Sequence, residues 1–159
     1  MNYRWKWDIF LQPSPEGGGT YFDMLIVGLG WTVVTALAAW ILALVIGVIV
    51  GVMRTLPSKT AERIGFAYVE LFRNIPLLVQ IFLWYFVLPE VVPVDWGNWI
   101  KQIPNAAFWT TFIAIGFYMS SRVAEQVRAG IGSLPQGQRM AGLAIGLNLP
   151  QCYRHVLLP

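Results

Sequence analysis

Arg122, Glu125 and Arg128 stand three residues apart in the stretch SSRVAEQVRAG, a spacing that brings them together along one side of a helix. Arg122 is the most informative of the three, because a guanidinium among apolar helix residues costs at least about 2.5 kcal/mol in mid-membrane unless it pairs or reaches water. Its planar fork could grip a carboxylate bidentately. Alternatively it pairs with Glu125 one turn away, or extends its head to the aqueous surface. The residues alone leave both readings open. Glu125 and Arg128 read as part of a structural charge network. In FRNIPLLVQIF, Asn74 and Gln80 flank Pro76. A helix broken at a proline can line a cavity with carbonyls and amides, so both are candidates for substrate contact, with helix packing as the other reading.

Catalysis is not written into the chain. There is no GxSxG, no HExxH, no phosphate-binding GxxxxGK[ST] loop and no pair of carboxylates inside an apolar stretch. A single cysteine, Cys152, excludes an internal disulfide, and with one histidine, His155, no metal cluster or haem site is suggested, so neither cofactor nor metal is expected.

The elements that must position these residues belong to a membrane protein. Hydrophobic residues make up 57% of the chain and charged residues only 12%, against roughly 25% charged in an average soluble domain. Eight Trp and six Tyr supply side chains that favour the headgroup region. Basic residues are spread between apolar blocks, which argues against nucleic acid as a partner. Residues 24–53 carry no charge and would reach about 45 Å as a helix, more than a hydrocarbon core requires. A second span is expected over about 68–89, continuing the amphipathic run from Ser58 to Arg73 through a kink at Pro76. A third is expected over about 105–131, with Arg122, Glu125 and Arg128 at its inner end.

Lysines and arginines set the orientation. Eight of them lie between the first two spans or at and beyond the end of the third, and three (Arg4, Lys6 and Lys101) lie on the other side. The positive-inside rule then places the N-terminus outside and the C-terminal loop in the cytoplasm. Residues 1–23 read as an external interfacial segment, with Trp5 and Trp7 near headgroups and no cleavable signal peptide. Ala39, Ala43, Gly47 and Gly51 recur every four residues and form a smooth stripe for close helix packing.

The stretch GQRMAGLAIGLNLPQ, residues 137–151, is too short to span and is expected to form one short helix outside the bilayer, stopped by Pro150. Residues 124–159, AEQVRAGIGSLPQGQRMAGLAIGLNLPQCYRHVLLP, resemble the EAA loop of permease subunits in bacterial ATP-binding-cassette importers. FRNIPLLVQIFLWYF, residues 72–86, resembles the second-helix signature of the polar amino acid branch, and FLQPSPEGGGTY with SSRVAEQVR is similar to glutamate/aspartate permeases.

The resemblance implies an all-α integral membrane fold: three transmembrane helices of a five-helix core over residues 24–159, with a coupling loop at 132–159. The chain would then stop short of a fourth span, at Pro159. By the same resemblance, the short helix around Arg139 to Ile145 is a coupling helix seated on a separate ATP-binding subunit, with Gly137, Gln138, Met140, Ala141, Gly142 and Gly146 as its contact residues. Met140 stands where the family has Glu, and Gly142 where it has Ala, which favours a more apolar contact. Arg122 stands where acidic amino acid permeases look like this chain and the wider branch has an aromatic. The implied partners are membrane lipid, a second permease chain, identical or not, and a periplasmic amino-acid-binding protein at a bacterial inner membrane. A permease for glutamine, arginine or histidine, or a membrane scaffold without a transport path, would also suit these features.

Overall fold

The computed structural model describes residues 5–15 and 17–157. Arg4, used in the charge balance, and the last two residues of the 132–159 loop lie outside them. Regular structure among the described residues is helical, apart from one isolated β-bridge between Pro13 and Thr20. That bridge closes a turn in which Gly17, Gly18 and Gly19 all take positive φ, a conformation that side chains disfavour. Ahead of it, Trp7–Leu11 forms a short 3-10 turn, with Trp5 and Trp7 exposed and stacked at 5.5 Å.

The first long helix, α1, is Tyr21–Met53. Its start is fixed by a reciprocal cap: the Asp23 N–H donates to Thr20 Oγ1 at 3.3 Å, and the Thr20 N–H donates to Asp23 Oδ2 at 2.8 Å. At about 50 Å it is the one single helix among the described residues that is long and apolar enough to cross a membrane. Most of its large side chains are exposed, and only Ala39, Ala43, Gly47, Val50 and Gly51 are buried. These small residues let α6 (Ala106–Ser133) lie directly against α1. A Cβ on Gly47 would sit 2.5 Å from Val123 Cβ, and on the other side Gly116 leaves room for Leu42. The third expected span coincides in position with α6, which is long enough to cross a membrane but not apolar enough to qualify by itself. Thr110, Thr111, Ser120, Ser121 and Arg122 make this helix more polar than α1.

The second expected span departs from its sequence reading. In place of one kinked helix over 68–89, α2 (Lys59–Asn74) ends at an extended Ile75, and the chain resumes as α3 (Leu77–Phe82), a π-helical turn at Leu83–Val87, and α4 (Leu88–Val91). The two halves meet at 97° and are long and apolar enough to cross a membrane only if counted together. Pro76 causes the break, since its ring disfavours the helical conformation at Ile75 and it lacks an N–H to continue the ladder. Another helix that the sequence reading did not anticipate, α5 (Val94–Gln102), packs on α4, where Gly97 meets the Pro89 carbonyl and Lys101 pairs with Glu90 at 2.6 Å.

Beyond α6, helix α7 spans Gln136–Ala144 and α8 spans Leu149–Cys152, continuing through a π turn at Tyr153–Leu157. Pro150 does not stop a helix as expected. It occupies the first turn of α8, where a missing N–H has no helical partner to lose, behind an Asn148–Gln151 capping box. The stop is Gly146, at φ +90°.

Candidate functional site

Glu125 on α6 is the hub of a charge network that ties three helices. Its Oε1 accepts from Arg54 Nη1 at 2.7 Å, Arg73 Nη1 lies 3.7 Å from the same oxygen, and Arg128 Nη1 lies 3.7 Å from Oε2. The pairing of Glu125 with Arg128 follows from their spacing; Arg54 and Arg73, which in sequence are simply basic residues between the first two spans, join it only through the fold. Arg54 comes from the end of α1 and is 8% exposed, sealed by Gly65, whose Cβ would come within 2.5 Å of Arg54 Cγ. Its guanidinium also lies 6.0 Å from the Phe66 ring centroid.

Arg122 stands apart from this network. Its Nη2 donates to the Tyr118 hydroxyl at 2.7 Å, and its guanidinium lies over the Tyr118 ring, 5.0 Å from the centroid. The partner is one turn toward the N-terminus of α6, the opposite direction from Glu125. Arg122 is exposed, and with one of its five N–H groups used it retains the donors that a bidentate carboxylate contact requires.

Asn74 and Gln80 are placed differently. Asn74 is exposed and donates to Glu70 Oε2 at 2.8 Å. Gln80 is buried under the break at Pro76. Its Nε2 donates to the Phe72 and Ile75 carbonyls at 2.7 and 2.9 Å, which α2 leaves without helical partners where it ends. Among the described residues, no hydrogen bond or ion pair links Arg122, Asn74 and Gln80. The break is braced further by Tyr68, whose hydroxyl lies 2.6 Å from Ser120 Oγ, and by Phe72 stacked on Phe117 at 5.1 Å. This brace was not legible in sequence, because its members lie about fifty residues apart.

The C-terminal segment presents one face. Tyr153 donates its hydroxyl to the Thr55 carbonyl at 2.7 Å, pinning the loop to the end of α1, and Cys152 is fully buried beneath α7. Gly142 turns inward, so a Cβ there would lie 3.1 Å from Cys152 Sγ. It provides the close approach of α7 to its own chain. Gly137, Gln138, Met140, Ala141 and Gly146 are exposed. Leu143 and Ile145, not singled out from sequence, join Met140 to give α7 and its turn an exposed apolar surface.

Residues 43–159 match the family described as binding-protein-dependent transport system inner membrane component. The whole chain is 46% identical, over 162 residues, to the glutamate/aspartate import permease protein GltJ of Escherichia coli strain K12, and covers 66% of that protein. It is 35% identical over 138 residues to the probable glutamine ABC transporter permease protein GlnM of Bacillus subtilis strain 168, covering 87% of this chain and 59% of that one. The fold is similar to a chain in the crystal structure of an amino acid ABC transporter with histidines, with a TM-score of 0.68 and 29% identity over 87% of this chain and 60% of that chain. The chain thus spans about two thirds or less of the length of these relatives.

Proposed function

The chain belongs to the family of binding-protein-dependent transport system inner membrane components, all-α membrane permeases, and we propose that it forms part of the permease subunit of an ATP-driven importer of glutamate and aspartate. The observation that carries the substrate assignment is the 46% identity along the whole chain to a relative named for glutamate and aspartate import. Arg122 supports it chemically: an exposed guanidinium oriented by Tyr118 and free of Glu125 suits a side-chain carboxylate, which distinguishes acidic from neutral amino acids. Asn74 and Gln80 are secondary candidates, and the Gln80 amide acts through the backbone at the α2 break.

In this reading ATP is hydrolysed by a separate subunit that seats α7 through Met140, Ala141, Leu143 and Ile145, with Gly137 and Gln138 at its first turn and Gly146 at its exit. A second permease chain completes the path, and a periplasmic binding protein delivers the amino acid. The N-terminus faces the periplasm and the α7 loop faces the cytoplasm, in keeping with the distribution of Lys and Arg. The relative named for glutamine keeps a neutral polar substrate as the second reading.

The direct test is uptake of labelled glutamate by cells that lack their own importer and express the full-length protein with its partner subunits. Uptake should require ATP, be inhibited by excess unlabelled aspartate, and be little affected by equal glutamine. Preferential inhibition by glutamine would move the substrate assignment to the second reading, and absence of any uptake would remove the transport role.

A further inference from the structure

Between the end of α1, the face of α2 and the inner end of α6 lies an open recess of about 910 Å³. Its lining includes five cations, Arg54, Lys59, Arg63, Arg73 and Arg128, and two carboxylates, Glu62 and Glu125. Glu125 is already shared among three of the arginines. Lys59 and Arg63 are exposed and have no ion-pair partner among the described residues. A surplus of crowded cations raises the energy of this corner of the molecule. An anion that offers several acceptor oxygens relieves it.

The place of the recess identifies the source of that anion. Arg54 follows the last residue of the apolar α1 directly, so the recess lies where the chain leaves hydrocarbon for the headgroup layer. Phe66 on its wall is 54% exposed, which sets apolar surface beside the cations. A small soluble anion would leave that ring uncovered, whereas a lipid covers it with acyl chain while its phosphate meets the cations. We propose that this recess seats the phosphate of an anionic phospholipid headgroup. The site is independent of which solute the protein carries.

The test uses the full-length protein with its partner subunits in detergent, titrated with phosphatidylglycerol or phosphatidylcholine of identical chains and read by native mass spectrometry. Phosphatidylglycerol should bind at least about tenfold more tightly, and Lys59→Gln with Arg63→Gln should weaken it about fivefold for each cation removed. Binding of phosphatidylcholine should not change. Both residues are exposed and lie outside the Glu125 network, so folding should be preserved, and Arg63→Lys should retain binding because the charge remains. Equal affinity for the two lipids, or unchanged affinity in the double variant, would overturn the proposal. Two competition arms separate other sources. Full displacement of phosphatidylglycerol by millimolar inorganic phosphate would assign a soluble anion, and displacement by glutamate would assign the recess to the transport path; either overturns a lipid site.

Discussion

Two arginines, Arg122 on α6 and Arg54 reaching Glu125 on α6 from the end of α1, are held by opposite means. Arg54 is enclosed, its charge set against Glu125 at 2.7 Å with two further arginines near the same carboxylate. Arg122 is exposed and held by a neutral phenol, which orients the fork without cancelling its charge. The first arrangement locks α1, α2 and α6 together, and the second keeps a cation available. The same division runs through the rest of the chain. The α1–α6 seam is closed by glycines and alanines, whereas α7 buries Gly142 on its own chain and leaves Met140, Leu143 and Ile145 uncovered. Residues that hold the fold have spent their interactions internally, and those proposed to act have kept them.

Breaking the closed side should have the largest effect. Glu125→Ala leaves Arg54 charged and buried without its carboxylate partner, and because Glu125 itself is partly exposed the cost is discounted from that of a fully buried pair to about 1–3 kcal/mol. The full-length protein in detergent should therefore unfold at a clearly lower temperature than wild type. Exchanging both members, Arg54→Met with Glu125→Leu, should recover much of the loss. If Glu125→Ala melts like wild type, the network is not what locks the three helices.

On the open side, Ile145→Asp should leave folding untouched, because the residue is 78% exposed in the free chain. Association with the ATP-binding subunit should weaken by at least about tenfold, the order expected when charge enters an apolar contact. Copurification at matched expression reads this directly. Normal association would remove α7 as the docking element.

The stripe on α1 was legible because a four-residue repeat of small side chains directly specifies a face. Glu125 and Arg128 were legible because their spacing is local. Arg54 was not, since its partner is 71 residues away and an arginine just after a span reads equally well as a topological charge. Pro76 announced a break but not its 97° angle, which depends on how Gln80, Tyr68 and Phe117 brace the two halves. Gly142 shows the limit for a short helix: its small size signalled close approach, and only the return of Cys152 beneath α7 decides which surface approaches it. The α5 helix went unread because its nine residues include Gly97 and follow Pro93, features that resemble a loop.

The central claim, that Arg122 is kept free in order to meet a carboxylate, is tested most directly by the ratio of glutamate to glutamine uptake in Arg122→Gln. The full-length transporter should be compared with wild type at matched expression, with the binding protein held constant. Because Arg122 is exposed, the substitution should change stability by less than about 0.5 kcal/mol. The uptake ratio should fall about tenfold or more, the size of one charge-assisted hydrogen bond, and Arg122→Lys should restore only part of it. A ratio equal to that of wild type, with both rates lowered together, would contradict the claim and leave Arg122 as a brace on Tyr118.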